Sequence, residues 1–472
     1  MSIGSVRNTR PALVVGAALL ATVLSGCASR APTLERPAAP VAATFAVETA
    51  AAPNAVAASA IEWQKFFVDV RLKRLIALAL ENNRDLRIAV LNIEQARAQF
   101  DIRRADQWPT VNAGVALARQ PPTASTLASV YSAGVLVTSY ELDLFGRVRS
   151  LADSALAQYL ASEEARKAVQ ISLVATVANA YLSLQGDEEL LRVTKQTLDT
   201  REASYHLIKL RFDNGASSQI DLRQAESLME SARAALIIAR RQRSLDENAL
   251  VLLIGQPLPL DLPEGLAITA PDKLPELPVG LPSDVLVRRP DVRQAEQQLI
   301  AANANIGAAR AAFFPRITLT GSLGSASTEL DGLFQSGLNA WTFMPQLLQP
   351  IFDAGRNDAN LKLSEVNRNI AVAQYERTIQ SAFREVADAL AGRATLGEQL
   401  RTQQALVRVE QDRYRLADLR YRNGASSYID VLDAQRALFT AQLTELQTQI
   451  QYTQNLVTLY RVLGGGWTDS SR

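Results

Sequence analysis

The chain has 472 residues, 48% of them hydrophobic and 21% charged, which is ample apolar material for a folded body. Lysine plus arginine number 49 against 48 aspartate plus glutamate, a net charge of +1, and the basic residues are scattered rather than massed in a stripe. That balance gives no field for a polyanion and argues against nucleic acid as a partner.

In chain order, Arg7 and Arg10 precede an apolar run over 11–24 that ends in Leu24-Ser25-Gly26-Cys27. A bilayer span needs about 20 residues, so this run reads as the core of a secretory signal. Leu-Ser-Gly-Cys resembles a bacterial lipobox, which implies cleavage after residue 26 and lipid on Cys27, the only cysteine. By resemblance to sorted lipoproteins, Ala28 rather than aspartate at the next position points to the outer membrane. Residues 27–60, rich in alanine and proline, are expected to form a flexible tether with no core of its own.

From Phe66 the pattern is helical: Leu72, Leu75, Ile76, Ala79, Leu80, Leu86, Ala89 and Val90 recur at steps of three and four, with little interruption up to Trp108. Pro109 stops that helix. Residues 111–117 alternate as a strand before the breaker pair Pro121 and Pro122, and 130–144 form a second strand candidate. After Gly146 the helical pattern resumes, and one helix from Arg147 to Phe212 would be roughly 100 Å long at about 1.5 Å per residue. Asn214-Gly215 follows. Its Ala-rich and Arg-rich flanks have helical spacing, so it is read as a helix-turn-helix with left-handed turn residues rather than as a hairpin of strands. Just past the turn, Ser218 and Asp221 have the S-x-x-D spacing of a capping box. A proline-rich stretch over 255–285 cannot carry a long helix and is expected to be an ordered crossover. The second half repeats the order: Pro315 ends a helix, 317–325 and 338–352 are strand candidates, Gly355 opens a helix, Asn423-Gly424 turns it, and Ser427 with Asp430 again has capping-box spacing.

The duplication is explicit. Residues 210–221 read LRFDNGASSQID and 419–430 read LRYRNGASSYID, an offset of 209. Asp85, Arg87, Ala89, Ala96, Arg104, Ala105 and Pro109 recur as Asp291, Arg293, Ala295, Ala302, Arg310, Ala311 and Pro315, an offset of 206. Such spacing is too long for a solenoid and suits two copies of one large unit. The expected organisation is a signal peptide over 1–26, the acylated linker over 27–60, a first repeat over 61–254, the crossover over 255–285, a second repeat over 286–467 and a tail over 468–472. Each repeat reads helix, strand, strand, helix, helix.

Four strands are too few to close a barrel, and open strand edges cannot lie in lipid. They form either a small soluble sheet or, if three chains pool them, a twelve-stranded membrane barrel. Trp108 and Trp341 beside the strands fit an interfacial belt or ordinary packing.

On these residues the chain resembles the TolC-like outer-membrane efflux factors, specifically the lipoprotein branch of OprM or NodT type that serves RND efflux systems. The most specific pieces are residues 140–147 (YELDLFGR), 288–292 (RRPDV), 311–315 (AAFFP), 429–435 (IDVLDAQ) and 463–467 (LGGGW). The resemblance implies a mainly α fold with a membrane β-barrel: a homotrimer whose twelve-stranded outer-membrane barrel continues into a long periplasmic α-barrel. It implies passive export of drugs or other small molecules from an inner-membrane pump, with a periplasmic adaptor (membrane fusion protein) between them. The lipoprotein type favours an RND pump.

The residue inventory offers little to catalysis: His206 is the sole histidine and sits on a helical surface pattern, Cys27 carries the lipid, and no phosphate loop is present. No enzyme activity and no cofactor beyond that lipid are expected. Asp433 is more informative. It lies three residues from Asp430, on nearly the same helix face, while its repeat equivalent is Gln224. On a threefold axis Asp430 and Asp433 would stack two carboxylate rings, an arrangement that binds cations in pores. TolC-like constrictions carry aspartates at these two positions after an apolar residue, so Ile429, Asp430 and Asp433 are the candidate aperture gate, with a divalent cation as candidate ligand of Asp430 and Asp433. The resemblance also implies a latch between protomers, from Asp221 to Tyr421 and to an arginine of the second tip. Ser426 occupies that arginine's position, leaving Arg420 or Arg422 as substitutes. The competing reading is a non-conducting periplasmic scaffold lipoprotein. A pump adaptor is disfavoured by the two complete helical hairpins, and a cell-wall hydrolase by the lack of a cleft motif.

Overall fold

A computed structural model describes residues 31–42, 44–45, 61–123, 126–270, 274, 288–335 and 339–466. Signal peptide, Cys27, Ala28, Trp467 and the tail after it lie outside the described residues, as does most of the crossover beyond 270. The described chain is mainly helical. Its elements are α1 (Trp63–Phe66), α2 (Val70–Asn82), α3 (Arg84–Ala105), β1 (Val111–Thr123), β2 (Thr126–Leu142), α4 (Arg147–Asp213), α5 (Gln219–Ile254), α6 (Pro290–Ala311), β3 (Arg316–Ser327), β4 (Asn339–Leu348), α7 (Arg356–Arg422) and α8 (Tyr428–Val462). They fall into two compact units, the first with residues 92–163 and 294–377 and the second with 39–91, 164–293 and 378–472.

In the first unit the four strands form one antiparallel sheet in the order β1-β2-β3-β4, with β1 and β4 at its edges. Its register sorts the side chains. Ala113, Val135, Leu323 and Trp341 lie opposite one another across the sheet, and the neighbouring row on that face is Val111, Val137, Gly321 and Phe343. The other face carries Asn112, Leu136, Ser322 and Thr342 in one row, with a hydroxyl pair at 2.7 Å between Ser322 and Thr342. One face is thus apolar and the other small and polar, the alternation that a period of two imposes. In the centre Gly134 faces Gly324. A Cβ at Gly324 would meet the Ala133 carbonyl oxygen at 2.1 Å, so only glycine permits this approach.

The strands differ in extent from their expected spans. β1 runs through Pro121 and Pro122 to Thr123, because an edge strand tolerates proline, and the register slips there. β2 and β4 stop at Leu142 and Leu348, short of 144 and 352. At the base of the sheet the family-like pieces meet: Phe145 stacks on Phe314 at 4.9 Å. Glu141, mostly shielded, accepts from Arg147 at 2.7 Å and pairs with Arg316 at 2.6 Å. Asp143 then accepts from the Arg149 amide at 2.7 Å and Asp353 from the Asn357 amide at 2.9 Å, so both long helices begin on an aspartate cap.

Residues 31–42 and 44–45 correct the tether expectation. In the first unit Asn303 donates to the Pro32 carbonyl at 2.8 Å, Arg36 donates through Nε to Glu296 at 2.8 Å, and Ala31 lies beside Gly307. Within the second unit Phe45 stacks on Phe383 at 4.7 Å. Proline-rich chain can be held at low entropic cost, and here it docks onto helices that offer it polar and aromatic partners.

The second unit holds α1, α2, α5, α8 and the distal parts of α4 and α7. The helical pattern over 66–108 breaks into three helices, at Phe67 and at Asn83. Asn83 closes α2 through its amide to the Ala79 carbonyl at 2.8 Å. Its side chain also accepts from the Leu86 amide at 3.0 Å and donates to the Leu253 carbonyl at 2.8 Å. The start of the crossover is ordered. The Leu266 amide donates to Asp69 at 2.9 Å, and Tyr181 donates to the same carboxylate at 3.0 Å. Arg289, 7% exposed, binds Asp291 at 2.7 Å, Glu385 at 3.0 Å and the Val462 carbonyl at 2.9 Å, which gives the RRPDV segment a structural role as a clamp.

Candidate functional site at the helical tips

Both tips are built alike. Gly215 and Gly424 have φ +72° and +71°, the left-handed conformation that ends a helix without strain only in glycine, and Ala216 and Ala425 donate back to the Arg211 and Arg420 carbonyls at 2.7 and 2.9 Å. The return helices differ. Ser218 and Asp221 form a reciprocal capping box. Ser427 makes no side-chain cap, a correction to the expected symmetry: the Asp430 amide donates instead to the Ser427 carbonyl at 3.3 Å, which leaves the Asp430 carboxylate free of capping.

An apolar cluster ties the two hairpins together within this unit. Ile208, Ala225, Tyr428, Val431 and Leu432 are buried, with Tyr205, Leu222, Tyr414 and Tyr421 packed around them. Burial pushes the Tyr428 hydroxyl up to about 12, so it stays protonated at neutral pH. The sequence pattern explains the arrangement: Tyr428, Val431, Leu432 and Gln435 recur at steps of three and four and point inward, so Ile429, Asp430 and Asp433 point outward. All three candidate gate residues are exposed. They line an open cleft of about 830 Å³ between the starts of α5 and α8, where Ile220, Arg223 and Arg436 join them.

Electrostatics in the cleft is mixed rather than purely acidic. Asp433 pairs with Arg413 of the same hairpin, and Arg223 pairs with Glu226 at 2.5 Å. Among the described residues of one chain no group of three potential metal ligands occurs, so Asp430 and Asp433 supply two carboxylates and any further ligand must come from elsewhere. His206 is exposed beside Tyr205, 5.7 Å between rings, as its surface pattern suggests.

The contact between the two tips runs through a residue outside the expected set. Arg211 donates to the Tyr421 hydroxyl at 2.6 Å and its guanidinium carbon lies 4.7 Å from that ring's centre. Asp221 is occupied by the cap, accepting from Ser218 Oγ at 2.7 Å and from Ser217 at 3.3 Å. Arg420 donates to the Ala425 carbonyl at 3.3 Å and Arg422 pairs with Asp418 at 2.8 Å, so within the chain both stay on their own hairpin. A signal for Arg211 was present: it is the repeat equivalent of Arg420, followed by an aromatic residue in both copies.

A sheet with one apolar face and two helical hairpins whose tips carry exposed carboxylates matches a known family. The model of outer membrane efflux proteins matches residues 75–256 and 281–465. The chain belongs to the outer membrane efflux protein family. Among the relatives of this family, the antibiotic efflux pump outer membrane protein ArpC of Pseudomonas putida is 47% identical over 464 residues, 96% of each chain. Outer membrane protein OprJ of Pseudomonas aeruginosa is also 47% identical, over 98% of this chain and 97% of its own. Among solved structures, the open state of the Neisseria gonorrhoeae MtrE outer membrane channel superposes with a TM-score of 0.86 at 41% identity, covering 93% of this chain and 99% of that one. The family assignment makes this an outer-membrane efflux protein, and the resemblance read from the sequence stands.

Proposed function

We propose that this efflux protein is the outer-membrane exit duct of a tripartite pump, passively conducting drugs or other small molecules. In this reading three copies pool their strands into a twelve-stranded barrel, continue it with a periplasmic α-barrel, and receive substrate through a periplasmic adaptor from an inner-membrane pump of RND type. A lipid on Cys27 anchors each copy. The single observation that carries the reading is the sheet. Its apolar face exposes Val111, Val115, Leu117, Leu323, Trp341 and Phe343, and its two edges, β1 and β4, have no strand beside them among the described residues. Water would penalise that face and lipid would penalise those edges, so neighbouring copies must close the sheet. Trp341 lies on the apolar face, where it would serve an interfacial belt, and Trp108 is equally exposed.

The tips supply the gate in this reading. Ile429, Asp430 and Asp433 of three copies would ring the aperture and bind divalent cations, and the Arg211–Tyr421 contact would hold each chain's hairpins in the closed packing, with Asp221 shaping the first tip. Opening is then a shift between two packings, driven by whatever binds the open one better. Reconstitution of the purified protein into planar bilayers tests the duct: discrete ion currents are expected. A stable water-soluble monomer with no conductance would instead support a periplasmic scaffold.

A further inference from the structure

The second unit contains a further cavity that the duct reading does not use. It lies between α4, α7 and α8, has a volume of about 160 Å³, and is lined by Thr200, Arg201, Tyr414, Gln435 and Phe439 among others. Arg201 is 4% exposed. One guanidinium nitrogen donates to the Leu228 carbonyl at 3.0 Å and the guanidinium carbon sits 5.3 Å from the centre of the Phe439 ring, while Nε is buried with no hydrogen-bond partner. No carboxylate among the described residues pairs with it, and none lines the cavity. Gln435, 7% exposed, donates through its amide nitrogen to Ser204 Oγ at 3.4 Å and to the Tyr414 hydroxyl at 3.3 Å.

Arginine does not shed its proton in proteins, so a buried guanidinium stays charged and a buried charge without a counter-charge is strongly destabilising. Burial pushes the Arg201 pKa down, and repulsion from Arg436 on α8 lowers it further. The space beside the guanidinium is as large as the roughly 150 Å³ cavities that admit a benzene molecule, which is room for a compact oxyanion. Two donors remain for it: Arg201 Nε, which has no partner, and the Tyr414 hydroxyl, whose oxygen accepts from Gln435 and whose proton is left over.

We propose that this cavity is a binding site for a small anion, an inorganic oxyanion or a simple carboxylate, held by Arg201 with the Tyr414 hydroxyl as a neutral donor that Gln435 orients. The bound anion would supply the missing counter-charge and cancel the repulsion between Arg201 and Arg436, drawing α4 and α8 together.

Two measurements on the full-length protein test this. Crystals soaked in bromide should show an anomalous peak beside the Arg201 guanidinium inside the cavity. In solution, sulfate or acetate titrated at constant ionic strength should raise the thermal midpoint saturably, with the stronger titrant naming the anion class. Arg201→Gln should weaken that response at least about tenfold, the loss expected for one charged hydrogen-bonding group. An equal response in the variant overturns the proposal, because sulfate also stabilises proteins by exclusion from their surface. If the variant does not fold, the bromide experiment decides alone: an empty cavity, or one filled by a carboxylate of a neighbouring copy, overturns it as well.

Discussion

Removing the Arg211–Tyr421 contact should open the proposed gate. The contact combines a charge-assisted hydrogen bond of 2.6 Å with a cation–π approach of 4.7 Å, between two residues that are each half-buried. Hydrogen bonds to a charged group contribute about 1.5–3 kcal/mol when shielded, and cation–π pairs about 0.5–1 kcal/mol at exposed sites. Discounted for solvent screening, the pair would stabilise the proposed closed packing by about 1–2 kcal/mol per chain. If three chains open together the terms add to about 3–6 kcal/mol, more than a hundredfold in the closed-to-open ratio. Single-channel recording in planar bilayers reads this directly as open probability. Tyr421→Phe keeps the ring and removes only the hydroxyl, so it should show a smaller effect than Arg211→Met, and the double variant should add little to Arg211→Met. Open probabilities indistinguishable from wild type in both single variants, or fully additive effects, would refute the latch.

Other consequences follow from the same geometry. Asp433→Ala should reduce cation selectivity and divalent block of the currents, whereas Arg413→Gln, by freeing Asp433 from its ion pair, should strengthen the block; unchanged selectivity and block in both would remove the aspartates from the aperture. Gly324→Val should abolish the assembled outer-membrane form, since its Cβ would meet backbone of β2 at 2.1 Å; normal levels of protein in the outer membrane would show that the sheet can spread there. Asp187, 8% exposed, is raised to about 7 by burial and then by the neighbouring Asp246 carboxylate, so its neutral form suits the fold. The stability it contributes is complete below the ordinary aspartate value of 3.8 and is lost as pH rises through about 7. Asp187→Asn should therefore raise stability at pH 8 by about 1–2 kcal/mol relative to wild type and change it little at pH 4. Thermal midpoints measured at both pH values check it, and a pH-independent difference would contradict the assignment.

Much of the architecture was legible because it depends on local periodicity and on breakers. Pro109, Gly146, Pro315 and Gly355 mark where helix and strand exchange, and the paired Asn-Gly turns mark the tips, since each acts through its own backbone within a few residues. The duplication made the second half a check on the first. The exposed placement of the candidate gate residues was legible for a related reason: Ile429, Asp430 and Asp433 fall on the outer side of a helix whose inward residues set its orientation. Partnerships were not legible. Arg211 and Arg420 are equivalent in the repeat, yet one reaches across to Tyr421 and the other binds its own turn, because only packing decides which side chain meets which across separate hairpins. Ser218 and Ser427 share one motif, yet only the first completes a capping box.

What the amino-acid order determined alone is therefore the element sequence, the repeat and the alternation that makes one strand face apolar. Only the tertiary structure decided the cross-strand rows, the docking of Pro32, Arg36 and Phe45, the ion pair that occupies Asp433 and the buried Arg201. The physical reason is range. Backbone preference and side-chain period act over about one or two turns of chain, whereas each of these contacts joins segments far apart in sequence and exists only once the helices and strands have packed.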